Sequence, residues 1–315
     1  MAKLTGVVPP VITPLTEAGE VDADSLVRLL DFLIEGGVSG LFILGSTSEV
    51  AYLTDEQRAV VLETTVKHVA GRLPVLAGVI DMTTPRVLVH ARQAQALGAD
   101  AIVVTAPFYT RVAEVEIERH YRLVAAAIDL PVYAYDIPVC VHSKLSPDMV
   151  IRLGIDGVIA GIKDSSGDDS SLRAILIARS RDPRLKEFSI LTGSELVVDN
   201  VLGMGADGVV PGLGNVDPEG YVRLYRLMHE GRFDEARAEQ ERLYELFRIV
   251  SAAKPGRMGP NSSAIGGFKA ALELRGVIAH HTAAAPQIPL DEDEIAVIAG
   301  LLVEAGLPVL AAAQV

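Results

Sequence analysis

The sequence predicts an α/β fold, namely a (β/α)8 TIM barrel with a C-terminal helical appendix. Short apolar runs rich in β-branched residues alternate with longer amphipathic stretches, and the runs recur at intervals of roughly 20–35 residues. The runs are hydrophobic throughout, which is typical of parallel strands covered on both faces. Eight such repeats favour a closed barrel, and a doubly wound open sheet is the alternative.

Each repeat begins with a predicted strand. A capping box at Thr54-Asp55-Glu56-Gln57 predicts the start of one helix. The phrases Leu97-Gly98-Ala99-Asp100 and Met204-Gly205-Ala206-Asp207 both precede a predicted strand, and we expect them to form the same connection from helix to strand. The eight predicted strands cover residues 6–13, 40–44, 74–79, 101–105, 131–136, 158–163, 188–192 and 208–211.

The pattern changes near residue 232, where the alternation of strands and helices ends. Residues 233–253, 263–274 and 292–303 are predicted to be helical, with no strand between them. The chain therefore divides into a predicted barrel domain, residues 1–231, which carries the chemistry, and a predicted C-terminal helical domain, residues 232–315. In such a barrel, chemistry is expected at the C-terminal ends of the strands.

Composition and charge narrow the classes of partner. The 315-residue chain has a net charge of −13, which disfavours binding to nucleic acid or to an anionic membrane. Its one cysteine, Cys140, allows neither an intramolecular disulfide nor a cysteine cluster for zinc, and the histidines lack metal-binding spacing. Residues 203–208 match G-x-G-x-x-G but precede a strand, so they do not predict a dinucleotide site. The N-terminus lacks a secretion signal, and we expect a cytoplasmic protein without metal or cofactor.

Lys163 ends the sixth predicted strand and is the candidate nucleophile. A lysine at the inner mouth of a barrel is partly desolvated, which favours the neutral amine that can attack a ketone and form an imine. The alternative is a lysine that pairs with Asp164 or with another nearby carboxylate.

Two further groups lie at strand ends. Tyr135 and Tyr109 lie at the ends of neighbouring strands, where a phenol could transfer protons during imine formation. The alternative is that both are amphipathic aromatic residues at the barrel rim without a chemical role. The run Gly45-Ser46-Thr47-Ser48-Glu49 follows the second strand, and its amides and hydroxyls could hold a carboxylate. The alternative for this run is a helix N-cap whose hydroxyls bind their own backbone.

Together these motifs resemble the dihydrodipicolinate synthase / N-acetylneuraminate lyase superfamily, which comprises class I, pyruvate-dependent aldolases. The similar segments are Gly45-Ser46-Thr47-x-Glu49, Tyr135-Asp136-Ile137-Pro138, Gly161-Ile162-Lys163-Asp164-Ser165-Ser166-Gly167 and Phe268-Lys269-Ala270-Ala271-Leu272. The resemblance covers nearly the whole chain. It implies a lyase that joins Lys163 to pyruvate or another 2-oxo acid as a Schiff base, that takes an aldehyde as its second small molecule, and that assembles as a homotetramer.

The resemblance also implies roles for individual residues. Tyr135 would be the general acid/base near the imine, and Ser46 would link it to Tyr109 of a neighbouring subunit in a proton relay. The residues implied in catalysis are Lys163, Tyr135, Tyr109 and Ser46, and those implied in substrate binding are Ser46, Thr47, Gly193 and Val210.

Two residues depart from the family pattern. Ser48 stands where the family usually has glycine, and Cys140 stands where true synthases have the arginine that grips the second substrate. A thiol cannot replace a bidentate guanidinium, although His142 or Lys144 could supply a substitute cation. We therefore expect an uncharged aldehyde and a 2-keto-3-deoxy sugar acid aldolase. The alternatives are 4-hydroxy-tetrahydrodipicolinate synthase, a dehydratase of the same superfamily and a non-catalytic 2-oxo acid binding protein.

Overall fold

The computed structural model describes residues 3–310, which contain one eight-stranded parallel sheet in the order β1-β8-β7-β6-β5-β4-β3-β2. The backbone after β1 meets β2, since Val11 N donates to Phe42 O at 2.8 Å and Phe42 N donates to Pro9 O at 3.1 Å. The sheet therefore closes on itself, and the predicted barrel is confirmed. The strands are β1 Gly6–Val7, β2 Leu41–Ile43, β3 Val75–Gly78, β4 Ala101–Thr105, β5 Val132–Asp136, β6 Gly161–Asp164, β7 Ser189–Thr192 and β8 Gly208–Val209.

Helices follow the strands, and their apolar faces pack on the sheet. The predicted capping box at the start of α2 is confirmed, because the Thr54 and Gln57 side chains each bind the other residue's backbone N–H. Fully buried side chains such as Ile43, Ile102 and Ile162 belong to the barrel's apolar core. The helices of the barrel are α1 Ala23–Glu35, α2 Asp55–Val69, α3 Thr84–Leu97, α4 Glu114–Ala125, α5 Pro138–Val141, α6 Pro147–Ile155, α7 Asp169–Arg181, α8 Val198–Gly203 and α9 Pro218–His229.

The two predicted copies of one helix-to-strand connection have the same geometry. Gly98 and Gly205 both adopt a left-handed backbone, with φ of +89° and +102°, which glycine tolerates best. In each copy the following aspartate accepts a hydrogen bond from the preceding strand. Asp100 binds the backbone N–H of Val75 at 2.8 Å, and Asp207 binds that of Ile190 at 2.8 Å. This prediction is confirmed.

Three predicted strands differ from the observed ones. The predicted strand 6–13 is wrong beyond Val7, because Pro9 and Pro10 have no N–H to donate to a ladder. The predicted strand 158–163 begins at Gly161 instead, since residues 158–160 form the connection from α6. The predicted strand 208–211 ends at Val209. The other five strands agree with the prediction to within one residue at each end.

Within residues 3–310, three α-helices follow α9, in the three regions predicted to be helical. They are α10 Phe233–Leu246, α11 Pro260–Leu274 and α12 Glu292–Glu304. The predicted helix 233–253 is wrong after Leu246, where the chain tightens into the 3-10 helix Phe247–Ser251, which packs on α11. The boundary between residues 231 and 232 remains a prediction, and residues 311–315 of the predicted second domain lie outside the described residues. No helix within residues 3–310 is both long and apolar enough to cross a membrane.

Candidate active site

Strands β5 and β6 bring Lys163 and Tyr135 together at their C-terminal ends. The two residues are direct partners in the parallel register. The Lys163 Nζ lies 4.2 Å from the centroid of the Tyr135 ring and 4.9 Å from that of the Phe42 ring. The two rings meet edge to face with centroids 6.1 Å apart. Lys163 is only 6% exposed, so the amine lies in an aromatic enclosure at the mouth of the barrel.

The Lys163 amine has no ionic partner among residues 3–310. The alternative, an ion pair between Lys163 and Asp164, is not observed. Successive side chains along strand β6 point to opposite faces of the sheet. The Asp164 carboxylate instead accepts a hydrogen bond from Ser166 N at 2.8 Å. The amine contacts the faces of two aromatic rings instead. An amine in this position can react with a carbonyl carbon without first breaking a salt bridge.

Gly193, just after β7, lets Ser165 and the Lys163 chain approach its backbone closely. A Cβ at Gly193 would lie 3.3 Å from the Lys163 Cε and 2.0 Å from the Ser165 Oγ. The Ser165 hydroxyl and the Lys163 chain therefore border the same space. Val210, just after β8, is buried, and its N–H donates to Thr192 O at 2.7 Å.

The turn at residues 45–49 presents two half-buried side chains, Ser46 and Thr47. Ser48 is fully buried, and its hydroxyl donates to Val11 O at 2.5 Å and accepts from Gly45 N at 3.1 Å. Ser48, which stands where the family usually has glycine, thus anchors the turn to the backbone after β1. The turn does not cap α2, whose N-cap is Thr54.

Cys140 lies in the short helix α5, close to Lys163. Desolvation of the sulfur raises the pKa of the Cys140 thiol, while a hydrogen bond with the Ser46 side chain and the positive charge of Lys163 act in the opposite direction. The residue as a whole is exposed. Cys140, Ser46 and Lys163 are therefore neighbours at the mouth of the barrel.

Lys144 does not act as a free cation in this site. Its amine forms an ion pair with Asp136 and donates to Leu145 O at 3.0 Å. Burial raises the pKa of the Asp136 carboxyl, and the Lys144 pair opposes that shift. His142 is exposed and ends α5 in a left-handed conformation. Neither side chain takes the place of a bidentate guanidinium beside Cys140.

Glu195 is a carboxyl group near the site that the sequence analysis missed. It accepts hydrogen bonds from Leu213 N at 2.8 Å and from the Tyr221 hydroxyl at 3.1 Å, and so joins the loops after β7 and β8. Burial raises the pKa of Glu195 to about 7, and the charge of Lys163 opposes the shift. Its position two residues after Gly193 was the available signal, since carboxyl groups just after barrel strands are candidates for chemistry.

Tyr109 does not join the other candidate residues within this chain. It is 88% exposed and has a left-handed backbone with φ of +76°, which is unusual for a residue with a bulky side chain. Within residues 3–310, no group of three or more His, Cys, Asp or Glu side chains is arranged to hold a metal ion.

Comparisons with known proteins agree on one family. A family model described as "Dihydrodipicolinate synthetase family" matches residues 3–304. A 4-hydroxy-tetrahydrodipicolinate synthase of Methanosphaerula palustris is 34% identical over 290 residues, which cover 91% of this chain and 93% of that protein. A protein of Escherichia coli K12 named probable 2-dehydro-3-deoxy-D-pentonate aldolase is 34% identical over 257 residues, which cover 81% and 84% of the two chains.

A solved structure matches the whole molecule. It is a prophage protein of the dihydrodipicolinic acid synthase family from Escherichia coli K12, in complex with pyruvate. The match has a TM-score of 0.89 at 30% sequence identity, and it covers 98% of this chain and 100% of that one. Relatives named for different activities are thus about equally similar to this chain, so overall similarity does not distinguish between those activities.

Proposed function

Because the chain belongs to the dihydrodipicolinate synthetase family of lyases, we propose that it forms a Schiff base between Lys163 and pyruvate or a related 2-oxo acid. The observation that carries this proposal is the Lys163 amine itself. The residue is 6% exposed, and its amine has no ionic partner within residues 3–310 and lies 4.2 Å from the centroid of the Tyr135 ring. Binding alone would not require a buried, unpaired lysine, which favours an enzyme over a non-catalytic binding protein.

The proposed reaction begins with attack of the Lys163 amine on the carbonyl carbon of the 2-oxo acid. Loss of water gives an imine, which draws electrons from the neighbouring carbon atoms. When the bond between C3 and C4 of a 2-keto-3-deoxy acid breaks, its electron pair enters the imine as an enamine and an aldehyde leaves. Tyr135, the register partner of Lys163, is assigned to move the protons of these steps.

We assign the substrate carboxylate to the turn at residues 45–49. Ser46 and Thr47 are half-buried there, while the Ser48 hydroxyl is already bound to the backbone. Successive backbone amides and hydroxyls in a turn form a suitable site for an anion. Gly193 and Val210 are assigned to the pocket wall.

A 2-keto-3-deoxy sugar acid aldolase is the proposed specific activity. The Ser165 hydroxyl and the Cys140 thiol lie near the Lys163 chain, and both groups suit an uncharged, hydroxylated aldehyde. The cation that the second, carboxylate-bearing substrate of a true synthase requires is not supplied by Lys144, which is paired with Asp136. This pairing favours the aldolase over 4-hydroxy-tetrahydrodipicolinate synthase.

Tyr109 supports a further part of the proposal, a homotetramer. An 88% exposed tyrosine on a left-handed backbone after β4 is poorly explained by the isolated chain. We propose that it enters the pocket of a neighbouring subunit, where it completes a proton relay through Ser46 to Tyr135.

Borohydride trapping tests the proposed chemistry. Incubation with pyruvate followed by sodium borohydride is expected to add about 72 Da to the peptide that contains Lys163, because reduction converts the imine to a stable secondary amine. Lys163→Ala is expected to abolish both labelling and turnover. Lys186→Ala, which removes an exposed lysine, is the control and should label like the unchanged protein.

Further arms of the experiment separate the alternatives. Labelling at Lys163 followed by release of pyruvate and an aldehyde from 2-keto-3-deoxy sugar acids would support the aldolase. Release of water without C–C cleavage would indicate a dehydratase. Full activity of Lys163→Ala, or loss of activity in EDTA, would contradict the imine mechanism.

A further inference from the structure

Glu49 and Lys269 form an ion pair that is completely buried. Both side chains are 0% exposed. Glu49 closes the turn that carries Ser46 and Thr47, whereas Lys269 lies in α11, in the helical segment that follows the barrel. The pair therefore joins the proposed carboxylate site to the C-terminal helices.

Other groups of the C-terminal segment complete the surroundings of this pair. Glu49 Oε1 accepts hydrogen bonds from Ala284 N at 2.7 Å and from Gln287 Nε2 at 2.6 Å, while Oε2 faces the Lys269 amine. The Lys269 amine also donates to Thr282 O at 2.7 Å. Two hydrogen-bond donors and one ammonium group thus converge on a single carboxylate from α11 and the chain after it, which restricts where that carboxylate can lie.

A buried ion pair of this kind contributes little net stability to a fold. Removing two charges from water costs more than an apolar contact of the same volume, so a buried ion pair is weak evidence for a purely stabilising role. What the pair does provide is geometry. Leu44, just before the turn, and Glu49, its last residue, have φ of +56° and +61°. Residues with side chains keep a left-handed backbone only where their surroundings impose it.

We propose that the Glu49–Lys269 pair, together with Ala284 and Gln287, is a positioning device for the substrate carboxylate. It holds the turn at residues 45–49 in the conformation that presents Ser46 and Thr47 to the 2-oxo acid. Lys269 is thus a positioning residue, because it acts through Glu49 and the turn. The inference rests on the proposed function and adds that the C-terminal helices are part of the substrate site.

The test measures how much pyruvate half-saturates borohydride labelling of Lys163. Lys269→Met keeps the length and bulk of the side chain but leaves the Glu49 charge buried without its partner. We expect the half-saturating concentration to rise on the order of 10- to 100-fold, as for a small misplacement of a binding group, with labelling at saturation close to that of the unchanged protein. The double change Glu49→Gln with Lys269→Met removes the unpaired charge and should recover part of the loss.

Arg242→Met is the matched control. It breaks the contact of Arg242 with Asp217, a carboxylate that is 4% exposed, and a hydrogen bond to Ala305 O, so it also weakens the C-terminal segment. It does not touch the turn, and its half-saturating concentration should stay unchanged. If Lys269→Met does not fold, Gln287→Leu removes one donor to Glu49 and leaves the ion pair in place, and it should also raise the half-saturating concentration.

The outcomes separate this inference from the function on which it rests. Folded Lys269→Met and Gln287→Leu proteins that half-saturate at the same pyruvate concentration as the unchanged protein would overturn the positioning role alone. An equal rise in Arg242→Met would overturn it too, since a general weakening would then explain the effect. No labelling of the unchanged protein by pyruvate would overturn the proposed function, and this inference with it.

Discussion

At the scale of single residues, Tyr135 combines two tasks that can be separated by experiment. Its ring contacts the Lys163 amine and meets Phe42 edge to face, while its hydroxyl is the part assigned to proton transfer. Phenylalanine at this position keeps the ring and removes only the hydroxyl. The packing contribution and the chemical contribution are therefore measurable one at a time.

Tyr135→Phe is expected to slow turnover by a factor on the order of 10²–10⁴, typical of a lost acid/base group, with little loss of stability. Steady-state kinetics on the substrate identified by the aldehyde panel would measure this. Tyr133→Phe is the matched control, because Tyr133 lies on the same strand and its hydroxyl faces Ser189 at 3.5 Å. Equal rates for the two variants would remove Tyr135 from the mechanism.

The free energy of unfolding should depend on pH because of Glu195. Its pKa is raised from 4.5 to about 7 by burial, so the folded chain binds a proton more tightly than the unfolded chain does. The stability that the neutral carboxyl contributes is complete below about pH 4.5 and is lost as the pH rises through about 7.

Glu195→Gln, which stays neutral, should therefore become more stable relative to the unchanged protein as the pH increases from 4.5 to 8. Urea denaturation at several pH values gives the free energy of unfolding for both proteins. A constant difference across this range would show that folding does not raise the pKa of Glu195.

Single residues also show how far the candidate site could be predicted from the sequence. Lys163, Tyr135 and Gly193 follow directly from the rule that barrel strands present chemistry at their C-terminal ends. Phe42 and Glu195 were missed, because their importance arises from neighbours that are distant from them in the sequence. The pKa of Glu195, for example, depends on burial by the loop after β8 and on Tyr221 of α9.

At the scale of elements, the two copies of the Gly-Ala-Asp connection differ in the contacts that their aspartate makes. Asp100 is exposed and binds Val75 N, while Asp207 binds Ile190 N and also forms ion pairs with Lys3 and Arg179. The side chain of Asp207 is only 10% exposed. The copy with Asp100 therefore lies at the surface, whereas the copy with Asp207 lies at the centre of a network of charged side chains.

We expect Asp100→Ala to lower the free energy of unfolding by about 1 kcal/mol, and Asp207→Ala by about 3 kcal/mol, because the second change also leaves two cations without their partner. Chemical denaturation of both variants measures the difference. Equal losses would mean that the ion pairs around Asp207 contribute nothing to stability.

The limits of prediction at this scale have physical causes. Periodicity located β2 to β5 and β7 well, since buried parallel strands are uniformly apolar. It extended the first strand too far, because the apolar run continues through Pro9 and Pro10 while the hydrogen-bond ladder does not. It also extended the helix after residue 233 through 253, since the period alone cannot distinguish an α-helix from the 3-10 helix Phe247–Ser251.

At the scale of the whole molecule, the proposed tetramer makes catalysis a property of more than one chain. Tyr109→Phe and Lys163→Ala should each be nearly inactive, since one lacks the relay and the other lacks the nucleophile. Mixed by unfolding and refolding together, they should regain activity, because a subunit with an intact Lys163 then receives Tyr109 from its neighbour. Light scattering would establish the mass, and a stable, fully active monomer would contradict the assignment of Tyr109.

The bonds around Glu49 also impose an order of events on biosynthesis. Ala284 and Gln287 follow Glu49 by 235 and 238 residues along the chain. At a translation rate of about 5–20 residues per second, roughly 10–50 s pass between the synthesis of the turn and the synthesis of the groups that hold it. The ribosome therefore makes the proposed nucleophile, the proposed acid/base and the turn at residues 45–49 well before it makes the groups that hold this turn. Under the proposed positioning role, catalytic competence is expected among the last events of synthesis, and a nascent chain that still lacks α11 should leave cellular 2-oxo acids unchanged.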